Sequence, residues 1–233
     1  EANTGRSQVA YKETITSTAD VENKYVKQSG GKGQYGHVKM RISPLDYSIP
    51  VEDLPKAAKR VNGLEFHNNI KGGVIPNEFI PAVEKGVREA MGRGILAGYP
   101  MVDLKVDLYD GSYHDVDSSE IAFKLAAMAA VKEAVEKARP VLLEPMMAVE
   151  ITVPEKFLGD ITGNVSSKRG QIEGVDDREM VKTIRCIIPL SEMFGYMSSL
   201  RSMTEGRGMF SMEFARYDIV PQNVADEVVK SRK

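Results

Sequence analysis

Two clusters of side chains carry types suited to chemistry or recognition. The first is Gly30, Gly31, Lys32, Gly33, Gln34, Tyr35, Gly36, His37 and Val38. From Gly31 to Val38 it fits G-x-G-x-x-G-x-V, the loop that covers phosphates in protein kinases. Phosphoryl transfer of that kind also needs a V-A-I-K lysine, an H-R-D catalytic loop and a D-F-G magnesium site. None of them follows. A dinucleotide site needs its glycines to follow a strand and open a helix, whereas here residues of period two come next. No GxxxxGK[ST] loop occurs in the 233 residues. By composition the stretch reads as a hairpin tip. Its charge points further. Between Glu22 and Asp46 no acidic residue occurs, yet Lys24, Lys27, Lys32, His37, Lys39 and Arg41 do, in a chain of net charge −2. Glycine lets backbone N–H groups approach a phosphate. Lysine neutralises phosphates, and the ring of Tyr35 can stack on an unpaired base. This is chemistry for irregular RNA.

The second cluster is Gly111, Ser112, Tyr113, His114, Asp115, Val116, Asp117, Ser118, Ser119 and Glu120. His114 beside Asp115 and Asp117 has the types of a general base with an orienting carboxylate, or of a shared metal site. The other histidines, His37 and His67, bring no carboxylate cluster to extend such a metal site. An exposed binding loop on a rigid scaffold is the preferred reading, with Asp117 and Ser118 capping the helix behind it. A third stretch, Ser166 to Gln171, places Lys168 and Arg169 at a helix C-terminus, where they complement its dipole, with Gly170 as the cap. Contact with RNA phosphates would come in addition, and the same holds for Lys182, Arg201 and Arg207.

The elements that must position these residues fall into two blocks, divided near Glu144 and Pro145. In the first, residues 37–43 and 101–109 alternate as half-buried strands. Ile80, Val83, Val87 and Met91 make an amphipathic helix stopped by Gly92 and Gly94. Ile121, Leu125, Met128, Val131 and Val135 make the apolar stripe of a second helix, with Asp117 and Glu120 as a capping-box-like pair. Residues 43–66, with Pro44, Pro50 and Pro55, read as a long connection. The second block reads strand, helix, strand, strand, helix, strand. Its strands are 148–153, 171–175, 181–188 and 209–216, the middle two joined by a turn at 176–178. Phe210, Met212 and Phe214 of the last strand are expected to face inward. That order is the split βαβ, ferredoxin-like plan. Pro221 opens a short final helix carrying Val224, Val228 and Val229.

The bulk properties set limits. A 233-residue chain with 42% hydrophobic content buries one or two cores. The net charge of −2 provides no global field toward nucleic acid, so RNA contact must be local. The single cysteine, Cys186, lies in an apolar run and excludes an intramolecular disulfide framework; it suits a reducing cytosol. No apolar run approaches bilayer length. The numerous methionines read as core filler. The first residue, Glu1, is not methionine, so a piece of a longer protein is expected.

At Gly30 to Val38, and again at Tyr113 to Glu120, the chain resembles the two tip loops of domain IV of elongation factor G. Further landmarks are Gly72 to Pro76, Leu143 to Pro145, Arg169 to Gln171, Tyr196, Leu200 to Ser202 and Gly206 to Gly208. The resemblance runs from about Val9 to Val220. It implies an α+β chain of two domains: a βαβ domain like ribosomal S5 domain 2 over 1–144, with tip loops near 29–37 and 111–118, and a ferredoxin-like βαββαβ domain over 145–220. The helix of 221–233 would pack back on the first domain. The resemblance further implies no catalytic residue, metal or cofactor here, with GTP and magnesium belonging to an N-terminal GTPase domain. The partners implied are tRNA, mRNA and the ribosome. Contact with the ribosome would fall in the A site of its small subunit, with a second contact to large-subunit RNA near the stalk base. The setting would be the cytoplasm or an organelle. Gly30, Gly31, Lys32, Gly33, Gln34, Tyr35, Gly36, His37, Tyr113, His114, Asp115 and Asp117 would touch tRNA or mRNA. Lys168, Arg169, Arg201 and Arg207 would touch ribosomal RNA. Open alongside translocation stand a recycling or tetracycline-protection paralogue, a free RNA-binding module, and an enzyme with His114 as base.

Overall fold

The computed structural model describes residues 9–28 and 30–233. Residues 1–8 and Ser29, where the first tip loop is expected to begin, lie outside the described residues. The chain divides into two compact units. One comprises Lys12–Leu142 with Pro221–Lys233, the other Glu1–Tyr11 with Leu143–Val220.

The first of these units begins with β1 (Lys12–Ile15), β2 (Ala19–Lys27) and β3 (Gln34–Pro44). It continues through β4 (Ala58–Val61), β5 (Leu64–Asn68), α1 (Ile80–Arg93), β6 (Leu104–Ser112) and α2 (Glu120–Lys137). Its sheet runs β2-β3-β6-β5-β4. β3 lies antiparallel to both β2 and β6, and β5 lies parallel to β6. The helix α1 is therefore the crossover that a parallel pair requires. Val38, Met40, Ile42, Leu104, Val106 and Leu108 are fully buried with residues of both helices in one core. The intervening residues of the same strands face away from that core, as period two demands.

The long connection expected over 43–66 is corrected. It contains a 3-10 turn at Val51–Asp53, β4 and the start of β5. The prolines concealed a four-residue edge strand, where Arg60 reaches back to buried Glu65. Arg60 Nε and Nη2 donate to Glu65 Oε1 at 2.9 and 2.7 Å, and His67 Nε2 lies 2.7 Å from Oε2. Burial alone would raise the carboxyl of Glu65, but the hydrogen bonds from His67 and Arg60 outweigh it and hold it below its ordinary value.

The expected stripe of α2 is also rotated. Ala122, Phe123, Ala126, Ala127, Ala130, Val131, Ala134 and Val135 are buried, whereas Ile121 is 61% exposed. Close approach is the reason. A Cβ on Gly36 of β3 would lie 2.6 Å from the carbonyl carbon and oxygen of Ala122, and one on Gly86 of α1 would collide with the carbonyl of Lys124. Backbones this near leave room for alanine, not isoleucine. Helix α2 is capped by Ser119, whose hydroxyl accepts from Ala122 N–H at 3.1 Å, rather than by Asp117 or Ser118.

Glu13, in β1, is wholly buried. Its Oε1 accepts from the N–H groups of Ile95 and Leu96 at 2.6 and 2.8 Å, and its Oε2 from those of Ala97 and Tyr99 at 2.9 and 3.0 Å. The carboxylate fills the concave backbone after α1, an anion in a nest of amides. The same loop receives Arg232, whose guanidinium stands 4.3 Å from the Tyr99 ring centroid and donates to Ala97 O at 3.0 Å. Arg232 follows α5 (Gln222–Ser231), the last helix.

The other unit is built on β7 (Pro140–Pro154), α3 (Leu158–Ser167), β8 (Gln171–Arg178), β9 (Val181–Pro189), α4 (Tyr196–Met203) and β10 (Met209–Ile219). The strands β10, β7, β9 and β8 lie in that order, all pairs antiparallel. Val149, Ile151, Val153, Ile184, Ile188, Ile161 and Leu200 form the core between sheet and helices. The α+β, ferredoxin-like plan stands, with local corrections. β8 continues through 176–178, and the turn falls at Glu179, which has φ +59°. On β10 only Phe210 packs against the core; Met212 is 43% and Phe214 55% exposed. Cys186 is a free, buried thiol, and burial pushes it up to about 11.

Candidate nucleic-acid interface

β3 starts where the first glycine-rich loop ends, and β6 ends where the second loop begins. Because β3 and β6 are antiparallel neighbours, with His37 opposite Ser112, both loops emerge at one end of the sheet. Backbone pairing then joins them: Tyr35 N–H donates to Asp117 O at 2.9 Å, and Tyr35 bridges Ser118. Gly33 is buried beneath the Asp117 carboxyl group, which would lie 3.0 Å from a Cβ at that position.

Within the second loop, the His114 N–H donates to Ser118 Oγ at 2.8 Å. The ring Nδ1 of His114 accepts from the N–H groups of Val116 and Asp117 at 3.4 and 3.3 Å. Nδ1 is thereby bare, so in the neutral ring the proton sits on Nε2. The imidazole is 55% exposed, 3.7 Å from Asp117 Oδ2 and 6.2 Å, centroid to centroid, from Tyr35. The Lys24 ammonium stands 5.9 Å from the Tyr35 ring centroid. The result is an aromatic pair, His114 exposed and Tyr35 half-buried, flanked by cations. Lys24, Lys27, Gly30, Gly31 and Lys32 are exposed around it, and so are Tyr113, Asp115 and Val116. Gly30 and Gly31 have φ +43° and +124°, a backbone that side-chain-bearing residues rarely adopt. Gln34 is half-buried.

His37 departs from the expected role. It is buried, with Nε2 2.7 Å from Glu22 Oε1 and Nδ1 2.7 Å from Ser112 Oγ. Ser112 Oγ is also 2.7 Å from the Tyr35 hydroxyl. The hydrogen bond from His37 holds the Glu22 carboxyl below its ordinary value. His37 is thus a support for the tip rather than part of its surface, and Gly36 likewise faces α2. Sequence reasoning missed Glu22 and Ser112 as partners of His37. The signal lay in the strand pairing, since Glu22 closes the acid-free stretch and stands across from Lys39.

The basic residues of the other unit do not act alike. Arg169 binds Glu144 through both terminal nitrogens, at 2.8 and 2.9 Å, and Glu144 is 2% exposed. Arg169, not Gly170, takes the left-handed position at φ +56°, and Gly170 N–H donates back to Val165 O. A Cβ on Gly170 would lie 2.6 Å from Val165 Cγ1, which accounts for the glycine there. Lys168 donates to Glu192 O at 3.4 Å. Arg201 and Arg207 are exposed and, among the described residues, have no ion partner. No group of three or more His, Cys, Asp or Glu that could hold a metal ion occurs among the described residues.

A tip of two loops on a βαβ sheet, followed by a ferredoxin-like domain, is the two-domain plan expected from the resemblance to a translation factor of the elongation factor superfamily. The family comparisons agree domain by domain. Residues 7–139 match the model for elongation factor G, domain IV, and residues 141–228 match that for the elongation factor G C-terminus. The chain belongs to the elongation factor G family. It is similar to the crystal structure of a protein from Thermus thermophilus, with 36% identity and a TM-score of 0.81 over 97% of this chain. The chain spans only 32% of that protein's length. The matched models are those of domain IV and the C-terminus; the GTPase domain is not among them.

Proposed function

We propose that this chain is the ribosome- and tRNA-contacting part of a factor that promotes GTP-dependent translocation of tRNA and mRNA. The observation that supports it is the joining of the two loops into one cationic, aromatic tip, with Tyr35 and His114 side by side. In this reading the tip enters the A site of the small ribosomal subunit behind the moving tRNA and blocks its return. Lys24 and Lys32 neutralise phosphate, while Gln34, Tyr35 and His114 touch tRNA or mRNA. Arg201 and Arg207, both exposed and without an ion partner among the described residues, meet large-subunit RNA near the stalk base. GTP and magnesium are handled by an N-terminal domain of the same protein, and the work is done in the cytoplasm or an organelle.

The test is His114→Ala in the full-length factor. Single-round translocation should slow about 10-fold or more, the scale on which losing a positioned group costs about 1.4 kcal/mol. Ribosome-stimulated GTP hydrolysis should stay within about twofold of the parent. Unchanged translocation kinetics would remove the tip from the mechanism. A parent factor that splits ribosomes but does not translocate would point to the recycling paralogue.

A further inference from the structure

The chain Glu22–His37–Ser112–Tyr35 has a direction. The Glu22 carboxylate only accepts, so His37 Nε2, 2.7 Å away, must carry a proton. In a neutral imidazole Nδ1 is then bare and accepts from the Ser112 hydroxyl at 2.7 Å. Ser112 has given away its one proton, so at 2.7 Å the Tyr35 hydroxyl must donate to Ser112 Oγ. The phenol of Tyr35, half-buried at the tip, spends its only proton on Ser112 and can only accept from anything else. Besides Glu22, the charged groups that the register places nearest His37 on this face of the sheet are Lys24 on β2, paired with His37, Lys39 on β3, and Asp110 on β6, while Asp20, Arg41, Lys105 and Asp107 lie farther along it. Lys39 is 3.7 Å from Asp110.

We propose that, with His37 neutral, Tyr35 meets RNA as a hydrogen-bond acceptor, so that the tip selects groups that donate, a ribose 2′-hydroxyl or a base amino group, over phosphate oxygens. This rests on the reading of the tip as an RNA contact. His37 and Ser112 are positioning residues that set the polarity of Tyr35. The phosphate oxygens, which only accept, are left to Lys24 and Lys32.

Two measurements at pH 8 test this. Long-range 15N–1H correlations of the three histidines report the protonated nitrogen of His37. Nε2–H with a bare Nδ1 is expected, and the opposite tautomer overturns the proposal. Fluorescence anisotropy then compares the chain and its Tyr35→Phe variant on three probes. These are an RNA stem-loop, the same sequence as DNA, and the RNA with loop bases lacking exocyclic amino groups. Tyr35→Phe should weaken binding to the RNA about fivefold, the scale of one net hydrogen bond. The penalty should vanish on the DNA if the partner is the 2′-hydroxyl, or on the amino-free probe if it is a base. An equal penalty on all three probes, or none on any, overturns the proposal. Ser112→Ala frees the Tyr35 proton, so in that background the Tyr35→Phe penalty should extend to all three probes; a penalty that stays selective counts against the polarity argument. If the parent chain binds none of the probes, the RNA-contact reading fails and this inference falls with it. Selectivity failing in a parent that does bind refutes the inference alone.

Discussion

Replacing Glu13 by glutamine changes one atom and separates two pairs of backbone donors. Ile95 and Leu96 point at one carboxylate oxygen, Ala97 and Tyr99 at the other. An amide has one oxygen, so whichever way it turns, one pair of N–H groups faces an NH2. Leaving a buried donor unsatisfied costs about 1–3 kcal/mol. These amides are only partly buried, which favours the lower half of that range and gives about 3 kcal/mol for the pair. For a unit of this size, 1 kcal/mol corresponds to about 2–4 °C in Tm, so Glu13→Gln should lower Tm by about 6–12 °C. Thermal unfolding followed by circular dichroism measures the shift, and hydrogen exchange should show amides 95–99 losing protection. The exposed pair of Glu133 and Lys137 serves as control, and Glu133→Gln should change stability by less than about 1 kcal/mol. A Glu13→Gln variant within about 2 °C of the parent, with those four amides still protected, would refute the claim that the carboxylate organises the loop.

Three further predictions rest on the same kind of reasoning. Gly36→Ala puts a methyl 2.6 Å from the Ala122 carbonyl; overpacking should cost about 2–3 kcal/mol, seen as a lower urea midpoint at unchanged slope, and an unchanged midpoint would refute the close packing. Arg169→Met strands Glu144, which is 2% exposed, and should cost about 3–5 kcal/mol. Adding Glu144→Met should recover most of that loss, and a double variant no more stable than the single one would contradict the pairing. The carboxyl of Glu65 is held below its ordinary value of 4.5, so its contribution to stability is fully present above that pH and fades as pH falls through the lower folded value. Stability of the parent should therefore drop more steeply below about pH 4.5 than that of Glu65→Gln, as pH-dependent urea midpoints would reveal; parallel acid limbs would be the contrary result.

Much of the architecture was legible because period and order survive in sequence. The alternation of 37–43 and 101–109, the helices around Val83 and Val131, and the strand-helix order of the second block all follow from side-chain direction. The failures share a physical cause. Ile121 outranks Ala122 on any hydrophobic scale, yet the alanine is buried because two glycines draw backbones against α2. The hairpin β4–β5 was hidden by prolines and by buried charge, since Arg60, Glu65 and His67 read as surface until they are seen to satisfy one another. The tip divides in the same way. Its two loops announce themselves by composition, but the exchange of His37 from contact to support depends on Ser112, 75 residues away. Only strand pairing reveals it.

The strand β10 also bears on how the chain behaves in isolation. It forms an edge of its sheet, with β7 as its strand partner among the described residues, and it exposes Met209, Met212, Phe214 and Ile219. An 11-residue edge strand with exposed apolar side chains is a template for another strand. Three features interrupt it. The pairing register slips between Phe214 and Arg216, Glu213 adds a charge in the middle, and Arg216 donates to Asp218 at 3.0 and 3.1 Å near the end. Glu213, Arg216 and Asp218 are the charges that guard this margin, and neutralising them together would turn a guarded edge into a nucleus for cross-chain pairing.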